Sequence, residues 1–295
     1  MKKISLLLFG AMFVLVVKAQ VYTKGEWKVD SVVTTTSDGK FLSKEVCKYN
    51  DKGLLEEIDG HEMQNGSIST TKSIHTYNEQ GVTATQELFL QMGNEWTSLS
   101  KSEVIEYDLS NGMPRVIESI GPQELNPTGE NVKTKTEITK WHGYQFEEEE
   151  VYMWLGGTWT HGSSVRATYD ANDLMTKLVT TISMLGFEYS TEVEYEYDAH
   201  GNVTKETTTA AGTVTTTTYA NEYDANDNLK KVTMDNQGEI KVVNYYWSRG
   251  GSTAISSVKN TKNASRWFDM SGRRLADKPT KHGVYIRDGK KFIVK

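Results

Sequence analysis

A single cysteine and four prolines in 295 residues set the first limits on this chain. With Cys47 alone, no intramolecular disulfide can form, so stability must come from burial and backbone pairing. Apolar residues show no helical spacing over any long window beyond residue 20. There is no Gly-x-Ser-x-Gly elbow and no phosphate loop, no motif implies a cofactor, and the six histidines lack the spacing of metal ligands. The shortage of proline and of long polar tracts argues against a disordered body. Two strong signals remain: a marked N-terminus and an internal repeat.

Lys2 and Lys3 precede an uncharged, largely apolar run from Ile4 to Val17, and Val17-Lys18-Ala19 then places small residues where a signal peptidase reads them. Fourteen helical residues span about 21 Å, short of the ~30 Å hydrocarbon core. Residues 1–19 therefore read as a cleavable signal peptide, cut between Ala19 and Gln20, with no transmembrane span after its removal. No cysteine follows the run, which leaves no site for lipid attachment. The formal charge is −6, to which the signal contributes +3 and residues 266–295 contribute +6, so the body between them carries −15. A phosphate backbone would be repelled by that body, which excludes nucleic acid as the expected partner.

A turn of the form Tyr-Asp/Asn-x-x-Gly/Asn/Asp recurs at Tyr49, Tyr77, Tyr107, Tyr169, Tyr197 and Tyr223, with spacings of 28, 30, 62, 28 and 26. The long gap holds two repeats, with a degenerate copy at Trp141-His142-Gly143. A second turn about halfway through the period is marked by Gly25, Gly93, Gly156, Gly186, Gly212 and Gly238. Two turns per period imply two strands. Asp or Asn can bond its own backbone in such turns, and Gly supplies positive φ without steric cost. In Glu192–Tyr197, Val193, Tyr195 and Tyr197 share one face and three glutamates the other, the alternation of a half-buried strand.

The fold class expected is all-β: an antiparallel meander of hairpins over residues 20–249, forming a curled or solenoid-like sheet. A β-propeller of four-stranded blades is the alternative architecture. Residues 250–265 read as a linker and 266–295 as a small C-terminal β-hairpin module with a tight turn at Asp288-Gly289.

Two units, Tyr197-Asp198-Ala199-His200-Gly201-Asn202-Val203-Thr204-Lys205 and Tyr223-Asp224-Ala225-Asn226-Asp227-Asn228-Leu229-Lys230-Lys231, resemble the YD repeat of the RHS family. That resemblance implies a β-rich wrap or shell at the cell surface that carries no chemistry itself. In the C-terminal module, Asp269, Ser271, Gly272 and Arg273, followed by Gly283 and Tyr285 and a terminal basic-apolar strand, are similar to the sorting-type modules of secreted Bacteroidota proteins related to type IX secretion. The resemblance implies handling by an export machinery; a capping hairpin for the repeat sheet is the other reading.

Asp224, Asn226 and Asn228 stand at positions 1, 3 and 5 of a calcium-loop pattern, but Leu229 occupies the place of the bending glycine, and the sister repeats read as turn chemistry. Cys47 lies in a strand and reads as an inert thiol. The run Glu147–Glu150 reads as a solvated edge. Trp141, Trp154 and Trp159 cluster in sequence and could stack on a flat ligand such as a sugar ring. Trp27, Trp96 and Trp159 share a turn slot, which favours packing instead. Asp30-Ser31-Val32 matches a short O-glycosylation signal of Bacteroidota exported proteins at Ser31. The function expected is a secreted or cell-surface protein with a non-catalytic binding or scaffolding role toward an extracellular glycan or protein. The rival is a secreted glycan hydrolase using acidic residues near Trp141–Trp159, which would need two inward-facing carboxylates across a cleft.

Overall fold

The computed structural model describes residues 23–24, 26–121, 132–184 and 186–249, and the backbone of four short strands between 267 and 294. Ala19, Gln20, residues 250–265, Ser271, Gly272 and Arg273 lie outside the described residues. The chain divides into two compact units, Met1–Thr253 and Ala254–Lys295.

In the first unit, the two-residue strand β1 (Thr23–Lys24) pairs with β2 (Trp27–Thr36). Hairpins then follow one another through β3 (Phe41–Tyr49), β4 (Leu55–Gln64), β5 (Ser67–Tyr77), β6 (Thr83–Met92), β7 (Glu95–Tyr107), β8 (Pro114–Ile120) and β9 (Lys133–His142). They continue through β10 (Gln145–Leu155), β11 (Thr158–Tyr169), β12 (Met175–Met184), β13 (Phe187–Tyr197), β14 (Val203–Ala210), β15 (Thr213–Tyr223), β16 (Leu229–Asn236) and β17 (Glu239–Arg249). Each strand pairs antiparallel with the next, and β17 pairs back onto β2 from Lys241↔Thr36 to Arg249↔Trp27. The sixteen strands β2 to β17 are therefore a closed barrel.

This corrects the expectation of an open, curled or solenoid-like sheet, and equally that of separate four-stranded blades. An open sheet of this length would leave two edges of unpaired N–H and C=O groups. Neighbouring strands are rotated by roughly 20–25°, so a long meander coils, and equivalent repeats give its first and last strands complementary edges.

The side chains separate by face. Cross-strand partners share a face, and the register links Cys47, Ile58 and Ser73, then Ser102, Ser119 and Thr134, then Ile138, Glu149 and Val165. The fully buried strand residues, including Val29, Cys47, Ser119, Thr134, Val151, Val165 and Val232, belong to this face. Among the described residues no other element of this unit covers the sheet, so the concave inside of the barrel buries them. The opposite face carries Lys48 with Asp59 (2.7 Å), Lys135 with Glu137 (2.5 Å), Lys177 with Glu192 (2.5 Å) and Lys231 with Glu222 (2.6 Å). Most of the charge thus lies outside, and Val, Ile, Leu, Tyr, Ser and Thr predominate inside, with Glu149 and Glu206 among them.

The two rims differ. At one, the tyrosine turns repeat a single construction. The Oδ1 of Asn50, Asn78, Asp170, Asp198 or Asp224 accepts the amides two and four residues ahead, for instance those of Asn172 (2.8 Å) and Leu174 (2.9 Å) at Asp170. Five of the tyrosines that close odd strands reach back to a carbonyl at the start of the preceding strand, whereas Tyr223 donates to the Asp198 carboxylate. Tyr49 donates to Val29 (2.8 Å), Tyr107 to Thr83 (3.0 Å), and Tyr77, Tyr169 and Tyr197 to Leu55, Phe146 and Met175. In the last hairpin Trp247 Nε1 fills the role, donating to Leu229 (2.7 Å).

At the other rim the turns are two-residue loops such as Asn65-Gly66, Gly156-Gly157, Ala211-Gly212 and Gln237-Gly238, with both residues at positive φ. This is the hairpin turn whose twist matches the strands. Trp27 begins β2 at the tyrosine rim, because it pairs with Arg249, and so does not share a turn slot with Trp96 and Trp159.

The second unit contains β18 (Trp267–Asp269), β19 (Arg274–Leu275), β20 (Gly283–Arg287) and β21 (Lys290–Val294) in one antiparallel sheet of order β19-β18-β20-β21. Asp269, Gly283 and Tyr285 are strand positions, with Asp269 opposite Tyr285 and Gly283 opposite Val294.

Backbone requirements at the turns give opposite outcomes for two substitutions. Gly201 has φ +80, so Gly201→Ala should cost about 1 kcal/mol, whereas Ala211→Asn, at φ 48, should gain a few tenths. Tyr77→Phe leaves the Leu55 carbonyl without its phenol and should cost about 1 kcal/mol. Urea unfolding of the three variants would measure each shift.

Candidate functional site

The inner wall is the surface on which a ligand could be held. On β13, β14 and β15 the register sets Tyr195 opposite Glu206 and Glu206 opposite Thr217, and Tyr219 donates to the Glu206 carboxylate at 3.4 Å. Val193 and Thr208 form the next inward row. Glu206 is thus a half-buried carboxylate between two tyrosines and among threonine hydroxyls. Burial and the Glu206 charge push the Tyr195 phenol up to about 12, and burial does the same to Tyr219 with Glu206 adding to it. Both remain neutral donors at ordinary pH. Such a wall can hydrogen-bond a polar ligand and stack on its flat face. Alternation in Glu192–Tyr197 correctly places Tyr195 inward, but Glu206 could not be assigned to it without the register.

A second inward group is Glu149. It is 3 % exposed, and its Oε1 has no hydrogen-bond partner among the described residues. Its flanking inward partners are Ile138 and Val165. Desolvation, with a smaller push from Glu150, raises its carboxyl to about 8. The expectation of a solvated Glu147–Glu150 edge is therefore corrected at Glu149, which keeps its proton near neutrality. Glu147 pairs with Lys140 at 2.6 Å outside the barrel wall, and Glu150 also faces outward. The inward positions of β9 and β11 beside Glu149 hold Thr136, Ile138, Ser163 and Val165. The paired inward carboxylates that a glycan hydrolase would need near Trp141–Trp159 are not found there.

The outer wall holds an arrangement that sequence reasoning missed. His161 Nε2 meets Glu150 Oε2 at 2.6 Å, Ser164 Oγ donates to the same oxygen at 2.7 Å, and Ser164 Oγ lies 3.4 Å from His161 Nε2. Serine, histidine and glutamate suggest a nucleophilic triad, but its logic requires serine and carboxylate on different ring nitrogens. Here both crowd Nε2, and the hydroxyl proton goes to the carboxylate. The group is a polar cross-strand cluster.

The three central tryptophans do not form one site. Trp141 closes β9 at the tyrosine rim, opposite Phe146, with its Nε1 buried and without a partner. It occupies the slot that tyrosine fills in other repeats. Trp154 and Trp159 are cross-strand partners at the opposite rim, edge to face at 5.1 Å and 73° on the outer wall. Trp159 is half-buried against Trp154, whereas Trp96 is 41 % exposed.

Asp224, Asn226 and Asn228 form a tyrosine-type turn. Asp224 Oδ1 is taken by two backbone amides, and Oδ2 accepts the Asn228 side-chain amide at 3.1 Å. Desolvation works against Asp224, but the amides of Asn228 and Asn226 outweigh it and hold the carboxyl below its usual range. The same geometry recurs at Asp170 and Asp198, so the spacing reflects turn formation. No cluster of three metal-ligating side chains occurs among the described residues. Cys47 is buried in the inner face with Val29 and Leu55, and Ser31 is half-buried on the outer wall, opposite Val46 and Tyr246.

No family model and no curated protein matches the chain. Among solved structures, it is similar to a porin-like protein from Bacteroides uniformis ATCC 8492, with 11 % identity and TM-score 0.46. A porin-like protein from Bacteroides vulgatus ATCC 8482 is similar at 9 % identity and TM-score 0.37. Each comparison covers 75 % of this chain and 98 % of the other.

The Glu149 environment sets a pH dependence. Below its ordinary value of 4.5 the carboxyl is protonated both folded and unfolded. As pH rises toward about 8, the unfolded chain ionises while the folded one holds its proton, so stability is lost through that window. Glu149→Gln should match the parent at pH 4 and exceed it at pH 9 by on the order of a few kcal/mol, read from urea midpoints at the two values.

Proposed function

We propose that this chain is an exported, non-catalytic β-barrel protein of the cell surface that stands in water and binds through its inner wall. The observation that carries the reading is the division of charge between the two faces. A membrane-spanning barrel presents an apolar band about 25 Å tall to lipid, and each Lys or Arg at its midplane costs roughly 2–4 kcal/mol. Lys48, Lys72, Lys135, Lys177, Lys205 and Lys231 all project from the outer wall, paired with carboxylates. Such a wall belongs in water. The inner wall supplies what binding requires: tyrosine faces, hydroxyls and the carboxylate of Glu206. An extracellular glycan or a protein segment suits that chemistry.

The signal peptide of residues 1–19 brings the chain across the inner membrane in this reading, and the basic C-terminal unit is handled by the export machinery. Ser31, on the outer wall, is accessible for O-glycosylation.

The mature protein should purify without detergent and partition into the aqueous phase of a Triton X-114 separation. It should also produce no conductance in planar bilayers. Partition into the detergent phase with stepwise conductance would show a pore-forming wall and overturn the reading.

A further inference from the structure

Of the fifteen exposed large apolar residues among those described, eleven lie at the rim of two-residue turns, each within about three residues of a strand end. Phe187 is 80 % exposed, Met92 61 %, Ile68 58 %, Val214 58 %, Trp96 41 % and Trp154 36 %. Scattered apolar residues on a surface need no explanation, but a concentration of them at one end of a barrel does. These side chains contribute nothing to the inner core, and Gly, Asn or a short polar residue would serve the turns as well.

Depth distinguishes possible occupants. Three residues of strand rise about 10 Å, well under the ~25 Å band of a spanning barrel. They match the ~5–10 Å to which interfacial elements sink into the headgroup and acyl boundary. Tryptophan and tyrosine favour that boundary, having an apolar ring with a polar tip.

Charge orients the molecule. The turns Asn65-Gly66, Gly93-Asn94, Gly156-Gly157, Ala211-Gly212 and Gln237-Gly238 are uncharged, and Asp38 is neutralised by Lys40 at 2.9 Å, while the flanking strand ends carry Glu62, Glu95, Glu188, Asp235 and Glu239 against Lys133, Lys135 and Lys241. The tyrosine turns instead carry Asp51, Glu79, Asp108, Asp170, Asp198 and Asp224 against Lys52. A negatively charged lipid surface repels the tyrosine rim, whose carboxylates sit in the turns themselves, more strongly than the rim whose tips are uncharged. Lys135, whose ammonium lies 5.5 Å from the Trp159 ring centroid, stands beside the ring of apolar tips, where it can meet a lipid phosphate.

We propose that the barrel seats its hairpin-tip rim on a lipid bilayer at interfacial depth, with its axis upright and its acidic rim directed away. This rests on the reading that the outer wall stands in water, and it names the surface on which the barrel stands.

The test is flotation of the full-length mature protein with phosphatidylethanolamine–phosphatidylglycerol vesicles, alongside Trp96→Ser/Trp154→Ser/Phe187→Ser and the opposite-rim variant Leu109→Ser/Tyr144→Ser. Urea unfolding reports whether each remains folded. The parent and the opposite-rim variant should float, and the triple variant should bind about tenfold less or worse. Quenching of tryptophan fluorescence by brominated lipid, which needs no variant, should be strong in the parent. Absence of flotation and quenching in a detergent-free, folded protein would overturn this proposal alone. So would flotation that the triple variant retains, or a self-association that the triple variant abolishes, which would identify a rim for a second copy. A protein that requires detergent to stay in solution would instead sink the underlying reading.

Discussion

The pairing of β17 with β2 is the constraint on which the rest of the structure depends. Residues more than 200 positions apart become neighbours from Lys241↔Thr36 to Arg249↔Trp27, and that contact turns a long meander into a barrel. Without it the sheet would have two open edges and its inner residues would face water. With it, the closed wall encloses the inner face, and the burial of Val29, Cys47, Ser119, Thr134 and Val165 follows. The cluster of Val29, Cys47 and Leu55, packed by Tyr245 and Trp247, lies at this seam. Local hairpins can form early, whereas the seam must close across nearly the whole chain.

Closure also sets the electrostatics. Lys and Glu on alternate positions of one face become cross-strand ion pairs outside, each worth little alone. Their main effect is to specify which face meets water. A few carboxylates remain inside, and their differing surroundings give them different properties. Glu206 has tyrosines and threonines around it, whereas Glu149 faces aliphatic neighbours and retains its proton. The belt of tyrosine phenols at one rim ties five of the odd strands to the start of the preceding strand. Trp141, standing where a phenol would be, leaves its indole N–H without a partner among the described residues.

Much of the local structure was legible in the sequence. Alternation in Glu192–Tyr197 places Val193, Tyr195 and Tyr197 inward, and the Tyr-Asp/Asn signal marks the turns of one rim. Closure was not legible, because no local pattern separates the edges of an open sheet from strands that will pair with each other. The tryptophans misled for a related reason. Strand β10 crosses the height of the barrel, so Trp141 and Trp154, only 13 positions apart, reach opposite rims. The carboxylate run Glu147–Glu150 reads as uniformly polar, yet the environment of Glu149 is made by Ile138 and Val165 on two other strands. Asp224, Asn226 and Asn228 show the limit of spacing alone, since the oxygens that would bind a cation are the same ones that build the turn.

Closure is tested most directly at its seam. Val33 and Asn244 stand opposite each other on the outer wall, at a separation of about 4.5–5.5 Å for such partners, which suits a disulfide. The double variant Val33→Cys/Asn244→Cys should form an intramolecular disulfide almost completely under mild oxidation, seen as a loss of two protons by mass and faster electrophoretic migration. Three free thiols in the folded protein, counting the buried native Cys47, or cross-linking only between molecules, would contradict a closed barrel.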